Sequence, residues 1–303
     1  MKVFDLHQDL LYYIIDNPNN VSILNEYKNL NIDKFVFAIF PFRGFYKILD
    51  VEEPLIYTLR GIEIAYEIEK EFNLKIIKGI EEFDEGNIIL AVEGLYFVRS
   101  TYEVRIMNRL GIKVLGLVWN KDNLICPHWN SKNDYGLTDL GYDVVKTAIS
   151  LNMTIDLSHA SDRTFFNVIE NFKQNIFVSH TGIREISNIK RNVSEDMIYE
   201  ISKINGIVGI AFADIFLSKA TLTDIAKYVS KLIEKYPNTL CIGSDFYGIS
   251  QEHKIENLSK PNDLKNLYLE LKKYLPDEYV NNFFYNNAYS FFKRALKFSD
   301  VKD

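Results

Sequence analysis

The sequence predicts a closed (β/α)8 barrel, a TIM barrel, followed by a C-terminal helix. Three observations carry that prediction. Short apolar, β-branched runs alternate with longer segments of helical period along the whole 303-residue chain. Eight such runs can be written. Each is nearly continuously apolar, as strands are when both faces of a parallel sheet are covered.

In chain order the strand runs are KVFDLH, KFVFAIF, NIILAVEG, KVLGLVW, MTIDLSH, NIFVSH, GIVGIAF and TLCIGSDF. The helical segments between them include EPLIYTLRGIEIAYEIEKEF, TYEVRIMNRLG, LGYDVVKTAISLN, DRTFFNVIENF, SEDMIYEISKING and LTDIAKYVSKLIEKY. Strands alternating with helices imply right-handed βαβ units. Eight of them in roughly 250 residues suit a closed barrel, and an open doubly wound sheet is the competing arrangement. A dinucleotide-binding sheet is disfavoured because no GxGxxG follows the first strand. No linker or low-complexity stretch marks a boundary, so one domain over residues 1–303 is expected.

Local signals place several ends. Thr138 before Asp139 reads as a helix start, and SEDM supplies a second, with Ser194 or Asp196 as cap and acids in the first turn. Gly206 reads as the stop of the latter helix. The polar, turn-rich stretch from Asn120 to Gly136 follows the fourth strand and is expected to form a long loop over the barrel mouth. The final DEYVNNFFYNNAYSFFKRAL reads as an amphipathic helix packing its aromatics on the barrel.

Composition excludes several classes. A net charge of −6 with no basic stripe argues against a nucleic-acid partner. The longest apolar runs fall far short of the roughly 18–20 residues that a membrane span needs. Cys126 and Cys241 form neither a disulfide framework nor a CxxC, and are expected to be inert packing thiols. The first strand starts at Val3, which leaves no place ahead of it for a secretory leader, so a cytoplasmic setting is expected.

The chemistry-bearing residues gather at strand ends. His7 and Asp9 close the first strand, Glu93 the third, Ser158 and His159 the fifth, Ser179 and His180 the sixth, and Asp245 the eighth. In a barrel these ends converge on one mouth, where active sites sit. Three of the five histidines stand there with three carboxylates. His7 and Asp9 are two apart on an extended chain, so both side chains point one way and can chelate. His159 and His180 come from successive strands, roughly 5 Å apart at the backbone. Glu93 has two oxygens and can bridge two metals. The set suits a two-metal site, best filled by Zn, with Mn, Fe or Co as further options. The absence of thiolate ligands leaves positions for water, the catalytic pattern. Asp5 and Asp156 are expected to orient the imidazoles, while His128 and His253 are expected in solvated loops.

Taken in order, these residues resemble the membrane (renal) dipeptidase family, peptidase family M19, among the amidohydrolase-like barrels. DLHQDL is similar to the family's D-x-H-x-D start, AVEG to its Glu-Gly segment, GLTDLGYDVV to its helix start and IDLSHAS to its I-D-L-S-H-x-S. FVSHTG, RNV, GSDF and NNAYSFF follow in the family's order. The resemblance implies a zinc-dependent dipeptidase with two ions per chain and a metal-bridging hydroxide as nucleophile, often accepting a D-residue at the C-terminal position. It implies one metal on His7 and Asp9, a second on His159 and His180, and Glu93 between them. Asp245 would move the proton, and Arg191 would grip the substrate's terminal carboxylate bidentately. Relatives often form homodimers.

Two positions depart from the family. Trp119 stands where the family often has a His near the developing oxyanion, and Tyr247 where it often has a second Asp. Trp has one N–H donor and no acceptor. Trp119 or Asn120 would then donate to the substrate, or His128 would fold in from the loop. The departures keep a second reading open: a metal hydrolase of the same fold acting on a lactam, an N-acyl amino acid or a phosphoester. A non-catalytic metal- or peptide-binding protein is the third, against which the complete ligand set argues.

Overall fold

The computed structural model describes residues 1–15, 32–41 and 52–297. Its eight described strands are parallel neighbours in a closed barrel in sequence order, β1 (Val3–Gln8), β2 (Ile32–Ile39), β3 (Ile88–Glu93), β4 (Ile112–Gly116), β5 (Thr154–Asp156), β6 (Ile176–Thr181), β7 (Val208–Ile210) and β8 (Leu240–Ile242). All eight predicted runs therefore form strands, in the fold class expected. Several are shorter than the apolar run that announced them. In β4, β5 and β8 the ladder ends before Trp119, His159 and Asp245, so these side chains stand on turns past the strands.

The chain falls into two compact units, residues 1–35 with 178–291, and residues 36–177 with 292–303. In the first, β1 pairs with β8 through Asp5 and Ile242, and β7 pairs with β8 through Val208 and Leu240. Gly209 and Gly243 lie opposite the carbonyl of Ser179, which occupies the space a Cβ on either would need. From Val178 to Thr181 β6 advances three positions while β7 advances two, from Val208 to Ile210, which is a bulge. In the second unit β3 pairs with β4 through Glu93 and Gly116, and β4 with β5 through Gly116 and Asp156.

The helices start where hydroxyls permit. Thr138 accepts from Gly141 N–H, Ser161 from Thr164 N–H and Ser194 from Met197 N–H. Ser100 with Glu103 and Thr221 with Asp224 form full capping boxes. Each such cap is worth about 1 kcal/mol. The stop predicted at Gly206 falls one residue earlier. Asn205 takes the left-handed turn at φ 55°, and Gly206 N–H returns to Ile201 O at 3.0 Å. Asn replaces Gly there because its short polar side chain also tolerates that region.

The C-terminal run is helical as expected, but in three parts: Asp277–Asn281, a wider π-type turn over Asn282–Asn286, and Asn287–Ala295. Phe283, Phe284, Phe291 and Phe292 are buried. Asn287 ties the turn down by donating to Leu240 O and Pro237 O, both at 2.9 Å. Among the described residues no helix is long and apolar enough to cross a membrane.

Candidate metal centre

In the first unit, the turn after β8 runs alongside the end of β1. Asp245 N–H donates to His7 O at 3.1 Å, and Asp9 N–H to Phe246 O at 3.0 Å. Asp245 holds φ 60°, the left-handed region. This sets its carboxylate beside the first strand: His7 Nε2 lies 3.6 Å from Asp9 Oδ2 and 4.0 Å from Asp245 Oδ1. Gly248 closes the turn, and a Cβ there would run into both Asp9 Oδ2 and Asp245 Oδ1. The two acids crowd each other. Burial, then the charge of Asp9, push the Asp245 carboxyl up to about 8, against the pull of His7 and Arg191.

The β6 bulge supplies the rest. In a regular strand Ser179 and His180 would face opposite ways. Here Ser179 Oγ lies 2.8 Å from His180 Nδ1 and 3.3 Å from His7 Nδ1, so one hydroxyl serves both imidazoles. The two rings stand 3.8 Å apart between centroids. His7, His180 and Asp245 each bring a ligand atom within 4.8 Å of the others. Arg191 is buried, donates through Nη2 to His180 O at 3.1 Å, and lies over the Phe216 ring.

Asp5 takes a different role from the one expected. Its Oδ1 accepts from Ser244 N–H and His7 N–H, and its Oδ2 from Ser244 Oγ and Gln8 Nε2. It therefore fastens β1 to the β8 turn through backbone and hydroxyl, while Ser179 is the group on the imidazoles. The burial that raises the Asp5 carboxyl is offset in part by those four hydrogen bonds.

In the second unit, Glu93 ends β3, and His159 stands on the turn after β5 with φ 64°. His159 Nε2 is 3.1 Å from Glu93 Oε1. On its other side His159 Nδ1 is 2.9 Å from Asn120 Oδ1, which also accepts from Trp129 Nε1 at 2.7 Å. Trp119 flanks the same imidazole, 6.1 Å between ring centroids, and meets Phe40 edge-on at 4.7 Å. Its backbone N–H donates to Tyr96 Oη at 3.0 Å. Asp156 accepts from Ser158 N–H at 2.9 Å.

The outlying histidines are not simply solvated. His128 Nδ1 is 2.6 Å from Asp122 Oδ1 within one loop, and His253 Nδ1 is 2.8 Å from Asp214 Oδ1, joining the segment after β8 to the one after β7. Cys126 and Cys241 are buried thiols, as expected, and burial raises both well above the usual thiol range.

These residues fit a metal. Asp9 Oδ1 is buried with no hydrogen-bond partner. Two carboxylates stand together beside an imidazole, and a second imidazole meets a carboxylate nitrogen to oxygen. Cations compensate such arrangements, and imidazole with carboxylate is the donor set of catalytic zinc and its neighbours. Sequence spacing pointed to these imidazoles and carboxylates. It did not point to Ser179 as their common partner, to Ser244 under Asp5 or to Gly248 against Asp9, because each depends on a bulge or turn that spacing does not encode.

A family model described as membrane dipeptidase (peptidase family M19) matches residues 1–301. An uncharacterized dipeptidase of Schizosaccharomyces pombe is 31% identical over 189 residues, covering 58% of this chain and 45% of its own. A second from the same yeast is 25% identical over 230 residues, covering 70% and 56%. The chain thus spans about half the length of the curated relatives it matches. Among solved structures, an M19 metallopeptidase named dipeptidase AC superposes with a TM-score of 0.87 at 20% identity, covering 98% of this chain and 99% of that one. A Rhodobacter sphaeroides metallopeptidase, liganded with a phosphinate mimic of L-Ala-D-Ala, gives 0.86 at 19% identity, covering 97% and 99%. At these identities the likeness is one of fold.

Proposed function

Because the chain belongs to the membrane dipeptidase family, peptidase family M19, we propose that it hydrolyses the peptide bond of dipeptides, including those with a D-residue at the C-terminal position. His7, Asp9, Glu93, His159 and His180 are proposed to hold two zinc ions, Mn, Fe or Co being the other metals the donors suit. The observation that supports this reading best is the donor arrangement: His159 Nε2 facing Glu93 Oε1 at 3.1 Å, and Asp9 and Asp245 crowded beside His7. When bound, the metals would supply a water of lowered pKa and a Lewis acid for the scissile carbonyl.

The chain's own residues supply the remaining chemistry. Asp245 holds a proton readily in its buried place beside Asp9, the property required of a group that takes a proton from the nucleophile and returns it to the leaving amine. Arg191 is the buried cation suited to a terminal carboxylate. Trp119 offers an apolar face beside His159 for a substrate side chain. The proposal takes residues 1–303 as one barrel domain acting in the cytoplasm, with a homodimer as the expected assembly.

Zinc-loaded protein incubated with L-L and L-D dipeptides is expected to release free amino acids; no release across the panel rejects the reading. A second reading has Trp119 behind it. An indole cannot accept a proton or become a cation where the family often has a His, and losing one oxyanion donor can cost on the order of a hundredfold. Turnover of lactams, N-acyl amino acids or phosphoesters by the same loaded protein, with dipeptides inert, would establish it instead.

A further inference from the structure

The loop of residues 120–136 reaches His159 by two routes. Along the backbone, Trp129 N–H donates to His159 O at 2.8 Å, Ser161 N–H donates to Pro127 O at 3.2 Å, and His128 pairs antiparallel with Ala160. These bonds bracket the φ of 64° at His159, a conformation a non-glycine residue keeps only where its surroundings hold it. Through side chains, Asn120 Oδ1 sits between Trp129 Nε1 and His159 Nδ1, at 2.7 and 2.9 Å.

Donor chemistry then fixes the tautomer. An indole N–H can only donate, so the Asn120 atom facing Trp129 is the amide oxygen. A carbonyl oxygen can only accept, so His159 Nδ1 carries a hydrogen. With Nδ1 so occupied, Nε2, 3.1 Å from Glu93 Oε1, is the nitrogen left to face a metal ion.

We infer that Asn120, fixed in turn by Trp129, is a positioning residue that sets the tautomer and aim of His159. The inference rests on the metal-centre reading above, and it gives Asn120 a role other than the substrate contact expected from the sequence. The loop holds Asn120 ready by its own bonds. Asp122 accepts from His128 N–H at 2.9 Å, stands 2.6 Å from His128 Nδ1, and accepts from Ser131 Oγ at 2.7 Å. Asn123 accepts from Ile125 and Cys126 N–H and donates to Leu117 O. Tyr96 Oη receives both Trp119 and Lys121 N–H on either side of Asn120.

Full-length Asn120→Leu, Asn120→Asp and Trp129→Phe test this. Zinc affinity is read by competition with a chelator, and the ring-nitrogen state of His159 by long-range proton–nitrogen NMR on the metal-free protein. Kinetic constants are read on any dipeptide the wild type cleaves. Asn120→Leu is expected to weaken zinc binding about 10–100-fold and to give a mixture of His159 tautomers, with kcat falling while KM stays within about twofold. Asn120→Asp keeps an acceptor in place and is expected to stay within about fivefold of wild type, with Trp129→Phe between the two. Wild-type zinc affinity in Asn120→Leu together with a raised KM overturns the inference and makes Asn120 a substrate contact. If Asn120→Leu fails to fold, an Asn120→Asp protein with a mixed tautomer overturns it equally. Absence of zinc uptake by the wild type would sink the metal-centre reading, while the NMR result would still decide the role of Asn120.

Discussion

In the first unit, His7 is surrounded by groups drawn from strand ends and the turn that runs beside them: Asp9 two residues on, Asp245 on the turn after β8, and Ser179 on the bulged β6. In the second, His159 stands beyond its strand in a left-handed turn, and its far side is held by Asn120, which lies 39 residues away in sequence. The first arrangement is rich in carboxylates and owes its geometry to barrel pairing. The second pairs its imidazole with Glu93 and owes its geometry to a loop. The contrast teaches that imidazoles proposed for one role can depend on quite different parts of a barrel: strand register for His7, loop order for His159.

His7→Ala gives the largest effect expected from breaking the first arrangement. It leaves Asp9 and Asp245 facing each other without their imidazole, and metal affinity should fall by more than about a hundredfold, beyond what losing a ligand's partner costs. Metal content after loading and dialysis measures it. Unchanged content together with unchanged activity would remove the strand-end reading altogether. Gly248→Ala is the next largest and spares every ligand. Its new methyl collides with Asp9 Oδ2, so either the turn or the carboxylate must move. An overpacking cost of about 1–3 kcal/mol is expected, with weaker metal binding. Thermal unfolding with and without zinc checks it; identical curves for variant and wild type would mean that the turn is loose.

The same contrast explains what could be read in the sequence. Barrel class, strand count and the helix start at Thr138 were legible because periodicity and capping are local, and the first apolar run displayed His7 and Asp9 two residues apart. The role of Asp5 was not legible. Alternation alone put it on the imidazole face, whereas Ser244 arrives from the far end of the chain to take both its oxygens. Ser179 was visible as a residue but not as a partner, since only the bulge turns it to the same side as His180. Asn120 was singled out as the neighbour of Trp119, yet its hold on His159 needs loop geometry that no spacing rule supplies.

Titration of Asp245 sharpens the electrostatic half of the comparison. In the metal-free protein the Asp245 carboxyl is raised from 3.8 to about 8, by burial first and then by Asp9. The folded chain then binds a proton that the unfolded chain has already released, and stability must fall as pH rises between those two values. The contribution is fully present below the unfolded pKa and is lost as pH passes the folded one. Asp245→Asn removes the titration while keeping the shape. Wild-type metal-free protein should therefore lose melting temperature relative to Asp245→Asn between about pH 4 and about pH 8. Parallel curves for the two proteins would show that the crowding of Asp9 and Asp245 is relieved without a proton.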